Sequence, residues 1–142
     1  MFIKQLSVFI ENREGRLEDA LSILKNNDIN IVSCSLADNS DYGLLRMIVA
    51  KPEEAKKALK DAGFSAMLND VICARMAHRT GQLQNILKIV CDGGINIEYM
   101  YALSTGENDA SIVMKTSDPD ACLKLLTDAG IELFSDKDAA NV

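Results

Sequence analysis

The chain is written twice. Laying Gly15 on Gly81, an offset of 66, puts Leu17 on Leu83, Leu21 on Leu87, Leu24 on Val90 and Ile29-Asn30-Ile31 on Ile95-Asn96-Ile97. After one inserted residue the offset becomes 67: Pro52 meets Pro119, Leu59 meets Leu126, and Ala62-Gly63-Phe64 meets Ala129-Gly130-Ile131. The matches fall on residues that start helices, stop them and open strands, so the repeated object is a supersecondary unit, and 142 residues hold two of them.

Periodicity predicts the same elements in each copy. Leu6, Val8 and Ile10 alternate with Gln5, Ser7 and Phe9, a strand over 2–10. Leu17, Ala20, Leu21 and Leu24 share a helical face that stops at Asn26-Asn27-Asp28. Strands follow from Ile29 to about Ala37 and from Tyr42 to Ala50, joined by a turn at Asp38–Asp41. Pro52 suits the first turn of a second helix, Gly63 its end, and a last strand runs from Phe64 to Leu68. The second copy predicts strand 70–77, helix 81–92, strand 95–103, a turn at Gly106-Glu107-Asn108, strand 109–115, helix 119–129 and strand 131–135.

The fold class expected is therefore α+β: two tandem ferredoxin-like βαββαβ domains, 1–68 and 69–135, with 136–142 as a flexible tail. Each unit is small enough to be marginal alone and leaves sheet edges unpaired. Docking the antiparallel sheets side by side into one eight-stranded sheet would relieve both problems.

Charge and composition exclude several functions. A net charge of -6 opposes a nucleic-acid partner, which needs a basic surface to displace counterions. No apolar stretch approaches the ~20 residues that span a bilayer, and the N-terminus carries no signal-peptide pattern, so a cytoplasmic protein is expected. Cys34, Cys73, Cys91 and Cys122 have no CxxC spacing and sit in apolar patterns, which reads as buried reduced thiols rather than a metal site. His78 is the only histidine and has no sequence neighbour for catalysis, so neither an enzyme nor a cofactor is expected.

The segment richest in chemistry is Asn12-Arg13-Glu14-Gly15-Arg16-Leu17, repeated as His78-Arg79-Thr80-Gly81-Gln82-Leu83. It turns the first strand into the first helix, and a glycine there leaves backbone N–H groups at the helix start where a carboxylate is favoured. Asn12 adds an amide that donates and accepts, and Asn30 and Asn96, at the start of the second strand, are read as a further polar contact at the same end of the sheet. The same residues also fit plain turn formation, and Tyr99-Met100-Tyr101 fits either a pocket wall or ordinary packing.

At Glu11–Leu17 and Ile29-Asn30-Ile31 the chain resembles the ACT domain family, regulatory modules that bind amino acids in enzymes of amino-acid metabolism, and the resemblance runs over both copies. It implies an effector held where the first turn of one module faces the second strand of another. Matched residue by residue, Asn12, Gly15 and Asn30 carry over in the first copy and Gly81 and Asn96 in the second, while Arg13, Glu14, Arg16, Leu17, His78, Gln82 and Leu83 are candidates as the rest of the two turns. His78 stands in the place of Asn12, and Glu14 and Thr80 replace the family's frequent proline. The function this implies is a non-catalytic, allosteric amino-acid sensor with its ligand at the seam between the domains. It would form a homodimer and act on a separate enzyme of amino-acid or carboxylic-acid metabolism. A ligand-free assembly module, making contact through Phe9 and Ile48, and a small enzyme are the alternatives.

Overall fold

The computed structural model describes residues 1–38, 41–104, 109–136 and 138. Its elements are β1 (Ile3–Glu11), α1 (Arg16–Asn26), β2 (Ile31–Asp38), β3 (Tyr42–Val49), α2 (Pro52–Asp61), β4 (Ser65–Ala77), α3 (Gln82–Asp92), β5 (Ile97–Ser104), β6 (Asp109–Thr116) and α4 (Pro119–Asp128). The class is α+β, with antiparallel strand pairing.

Helix ends explain why β2 and β5 begin two residues later than the hydrophobic runs suggest. After α1 the chain passes through Asp28, whose N–H donates to the Lys25 carbonyl (3.1 Å), and Ile29 donates back to Leu24 (3.0 Å). This is a Schellman ending, with Ile29 as its apolar closing residue. Phe64, Ile95 and Ile131 close α2, α3 and α4 by the same backward bond, to Leu59, Val90 and Leu126.

Six strands form among the described residues, not the eight expected. Asn69-Asp70 reads as a break, yet β4 runs straight through it for 13 residues. The reason is that both polar side chains find partners on β1. Ser7 donates from Oγ to Asn69 Oδ1 (2.8 Å), itself receiving a bond from the buried Gln5 amide (3.1 Å), and Lys4 pairs with Asp70 (2.6 Å). The strand expected at 131–135 is reduced to one bridge, Leu133 to Ala74, flanked by Arg75 N to Glu132 O (2.8 Å) and Phe134 N to Cys73 O (2.9 Å).

The chain divides into two units, Lys4–Asp70 and Met1–Ile3 with Val71–Asp138. In the first, Leu6, Val8, Ile10, Leu45 and Met47 pack against Ala20, Leu24, Ala55 and Leu59 of the helices, the apolar stripe that the alternation in β1 foretold. In the second, Ile72, Ala74, Ile112 and Met114 pack against Ile86, Val90, Cys122 and Leu126, with Phe2 partly buried at the edge of that core. No helix among the described residues is long and apolar enough to cross a membrane. The turn at 106–108 and residues 39, 40, 137 and 139–142 lie outside the described residues. At 135–138, Asp138 accepts from the Ser135 N–H (2.8 Å) and hydroxyl (2.9 Å).

Candidate ligand site

The two strand-to-helix turns have one backbone design. In the first, Arg13 N donates to Glu11 O (2.8 Å), Gly15 sits at φ 84°, and its carbonyl accepts from Asp19 N (2.8 Å) as α1 begins. In the second, Arg79 N donates to Ala77 O (2.9 Å), Gly81 sits at φ 86°, and its carbonyl accepts from Asn85 N (3.0 Å). A left-handed residue is strained for anything but glycine, so Gly15 and Gly81 are dictated by the turn itself. Neither α1 nor α3 has a side-chain cap, whereas α4 is capped by Asp118, which accepts from Ala121 N (3.1 Å).

Charge separates the two turns. Around the first, Glu11 pairs with Arg13 (2.8 Å), and that hydrogen-bonded guanidinium holds the Glu11 carboxyl below its ordinary range. Arg16 reaches Asp19 (3.4 Å) and lies over the Phe64 ring (4.1 Å to its centre). Glu18 and Asp19 occupy the first turn of α1 and already place negative charge at the positive end of its dipole. In α3 the corresponding residues are Gln84 and Asn85, amide isosteres of that same pair, and Thr80 replaces Glu14. The first turn of α3 carries no acid, and Arg79 makes no ion pair among the described residues.

A cavity of about 520 Å³ opens on this second turn, lined by Met76, His78, Arg79, Gly81, Leu83 and Leu87, among others. It brings together three of the residues singled out in sequence, His78, Gly81 and Leu83, while Gln82 is not part of its wall. Arg79 lies within the turn segment singled out in sequence but not among the residues assigned to the site, although the repeat places it on Arg13, and Leu87 follows Leu83 by one helical turn. Asn12, Arg13, Glu14 and Gly15 are exposed on the first turn, with Arg16 and Leu17 partly buried.

Asn30 and Asn96 are not at the same end of the sheet as the turns. β1 and β2 are both antiparallel to β3 and hence parallel to each other, so the end of β1 and the start of β2 lie at opposite ends. The 11 residues of α1 span roughly 16 Å between them. Asn30 lines a separate groove at the end of α1 with Lys25 and Asp28. Its carbonyl accepts from Ala50 N (3.0 Å), and the Asn96 carbonyl accepts from Ser117 N (2.9 Å). These bonds use the backbone, and neither amide side chain has a hydrogen-bond partner among the described residues.

Other expectations divide. Cys73 and Cys122 are buried, but Cys34 and Cys91 are exposed, because one lies on β2 at a sheet edge and the other on the outward face of α3. Among the described residues no group of three or more His, Cys, Asp or Glu side chains could hold a metal. In Tyr99-Met100-Tyr101 it is Met100 that is exposed. Phe9 is 43% exposed and touches Tyr42 (ring centres 5.6 Å apart), whereas Ile48 is wholly buried and is no contact surface.

Similarity to known structures covers the whole chain. Protein BT0572 from Bacteroides thetaiotaomicron superposes with a TM-score of 0.94 at 35% identity, over 100% of this chain and 98% of its own. The regulatory subunits of aspartate kinase from Thermus thermophilus and Thermus flavus share the fold at 19% and 18% identity, with TM-scores of 0.65 and 0.61. The matches cover 89% of this chain in both cases, and 91% and 92% of theirs. No curated protein matches the sequence. The repeated turn, the helices on each sheet and a family match over residues 1–142 converge on one conclusion: the chain belongs to the ACT domain pair family.

Proposed function

We propose that the chain is a non-catalytic regulatory protein whose effector is a neutral amino acid with an apolar side chain, its carboxylate held at the start of α3. The observation that carries this is the contrast between two identical turns. α1 meets its own dipole with Glu18 and Asp19, whereas α3 has no acid in its first turn and opens beside the ≈ 520 Å³ cavity. Arg79 adds a positive charge for the carboxylate, and Met76, Leu83 and Leu87 offer an apolar wall for a side chain. The family resemblance implies that the second strand of another module completes the site, where an asparagine amide such as that of Asn30 or Asn96 meets the ammonium group.

The regulatory subunits of aspartate kinase among the structural neighbours support a target of the same kind, an enzyme of amino-acid metabolism on a separate chain. The cytoplasmic location and the homodimer in this reading rest on the sequence and the family resemblance alone. The test is a thermal-shift and calorimetric screen of all twenty amino acids. A neutral apolar amino acid is expected to raise the melting temperature, and the exposed substitution Arg79→Ala to weaken binding about tenfold without destabilising the free protein. A flat response to all twenty would defeat the reading. A ligand-free assembly module is the second reading, favoured by Phe9 and Tyr42 at 43% exposure and Leu36 at 50%. Under it Phe9→Ser would abolish self-association, and no amino acid would change the melting temperature.

A further inference from the structure

If the start of α3 holds a carboxylate, as proposed above, the cavity beside it also decides what else the ligand carries. We propose that this cavity takes an apolar monocarboxylate with no amino group, in preference to the amino acid of the same carbon skeleton.

The repeat shows which groups the second turn lacks. Over 11–19 the first copy has Glu11, Glu14, Glu18 and Asp19 against Arg13 and Arg16, a net charge of -2. Over 77–85 the second copy has Ala77, Thr80, Gln84 and Asn85 in place of those acids and keeps Arg79 alone, a net charge of +1 with His78 neutral. Among the described residues nothing acidic lines the cavity of about 520 Å³.

An α-ammonium entering this cavity exchanges water for whatever acceptors the wall provides, and they are few. The carbonyls of Ala77, Arg79 and Gly81 already accept from the N–H groups of Arg79 (2.9 Å), Gln82 (3.3 Å) and Asn85 (3.0 Å). Gln84 supplies the one side-chain oxygen on the wall among the described residues, and His78 puts an imidazole where the first copy has the Asn12 amide. Asn96 lies beyond the other end of α3, whose 11 residues span roughly 16 Å. Arg79 and the positive end of α3 repel a cation as they attract an anion. A carboxylate gains from both, whereas a zwitterion loses at its ammonium part of what it gains at its carboxylate. Met76, Leu83 and Leu87 receive the carbon chain in either case, so the amine sets the preference.

The experiment is calorimetry of the full chain with two pairs that differ only in the amine, leucine with 4-methylpentanoate and phenylalanine with 3-phenylpropanoate. At least one amine-free acid is expected to bind, about tenfold or more tightly than its amino acid, and 4-methylpentanamide, which lacks the charge, is expected not to bind. Gln84→Glu returns to the wall an acid that the first copy has. It is expected to weaken the amine-free acid at least tenfold and to keep the melting temperature, since an acid in the first turn suits the helix dipole. Amino acids bound as tightly as their amine-free partners, or more tightly, would overturn the proposal and leave the amino-acid reading standing. Amine-free acids bound while all twenty amino acids stay silent would uphold it and end that reading. An amide bound as well as its carboxylate, a Gln84→Glu variant that loses no affinity, or silence from both pairs would overturn it too.

Discussion

Cys73 has no accessible surface, and the loss of water around its sulfur pushes the thiol up to about 12, against the opposing pull of Arg75 two residues along β4. In the unfolded chain the same thiol ionises near 9. Between these values the unfolded state has released a proton that the folded state keeps. The stabilisation is therefore complete below pH 9 and drains away as pH rises towards 12. Denaturant unfolding at pH 8 and at pH 10.5 should show the natural chain losing more stability than Cys73→Ala, at up to about 1.4 kcal/mol per pH unit inside that window. Equal losses would mean that Cys73 does not ionise on unfolding. The same burial should leave Cys73 and Cys122 silent to a thiol reagent at pH 8 until the chain is denatured, with Cys34 and Cys91 reacting at once. Sequence could not separate these pairs. All four lie in apolar patterns, and exposure of Cys34 depends on which strand forms the edge of the sheet.

At the scale of elements, the helix ends were readable because each is written in local chemistry, a turn residue followed by an apolar residue that donates back to the helix. The strands of the second half were less so, because pairing is non-local. Asn69-Asp70 has the composition of a break, and only the approach of β1 shows that Ser7 and Lys4 satisfy it. This gives an ordered prediction. Asn69→Ala strands the Ser7 hydroxyl, 4% exposed, without its acceptor and should cost about 1–3 kcal/mol in a denaturant melt. Asp70→Ala removes an ion pair whose side chains are 42% and 51% exposed and should cost less than about 1 kcal/mol. The reverse order would mean that the ion pair, not the buried hydrogen bonds, carries β4 through its polar centre. The candidate site was legible in the same uneven way. The glycine turns are local and were found, but their separation from Asn30 and Asn96 follows from the parallel course of β1 and β2, which no short pattern encodes.

For the whole molecule the duplication matters because the copies share a backbone and differ in charge. Glu14, Glu18 and Asp19 align in the repeat with Thr80, Gln84 and Asn85, and two of these three exchanges alter little besides charge. If the helix start of α3 accepts a carboxylate because it has no acid of its own, the turn before α1 fails to do so because Glu18 and Asp19 already face that end of the dipole. Backbone geometry is then sufficient in both places and electrostatics chooses between them. The triple variant Glu14→Thr, Glu18→Gln, Asp19→Asn gives the first turn the residues the chain already uses in the second. Its amides at 15–18 should acquire a saturable response to a neutral amino acid that the natural chain lacks, with the response at 81–84 unchanged. Each first-turn acid is worth about 0.3–1 kcal/mol at a helix start, so removing both also predicts a variant less stable by about 0.6–2 kcal/mol. A variant that loses this stability yet gains no response would show that the turns differ in shape or in their surroundings. Gain at the first turn would show that a duplicated binding surface can be assigned to one copy by three carboxylates.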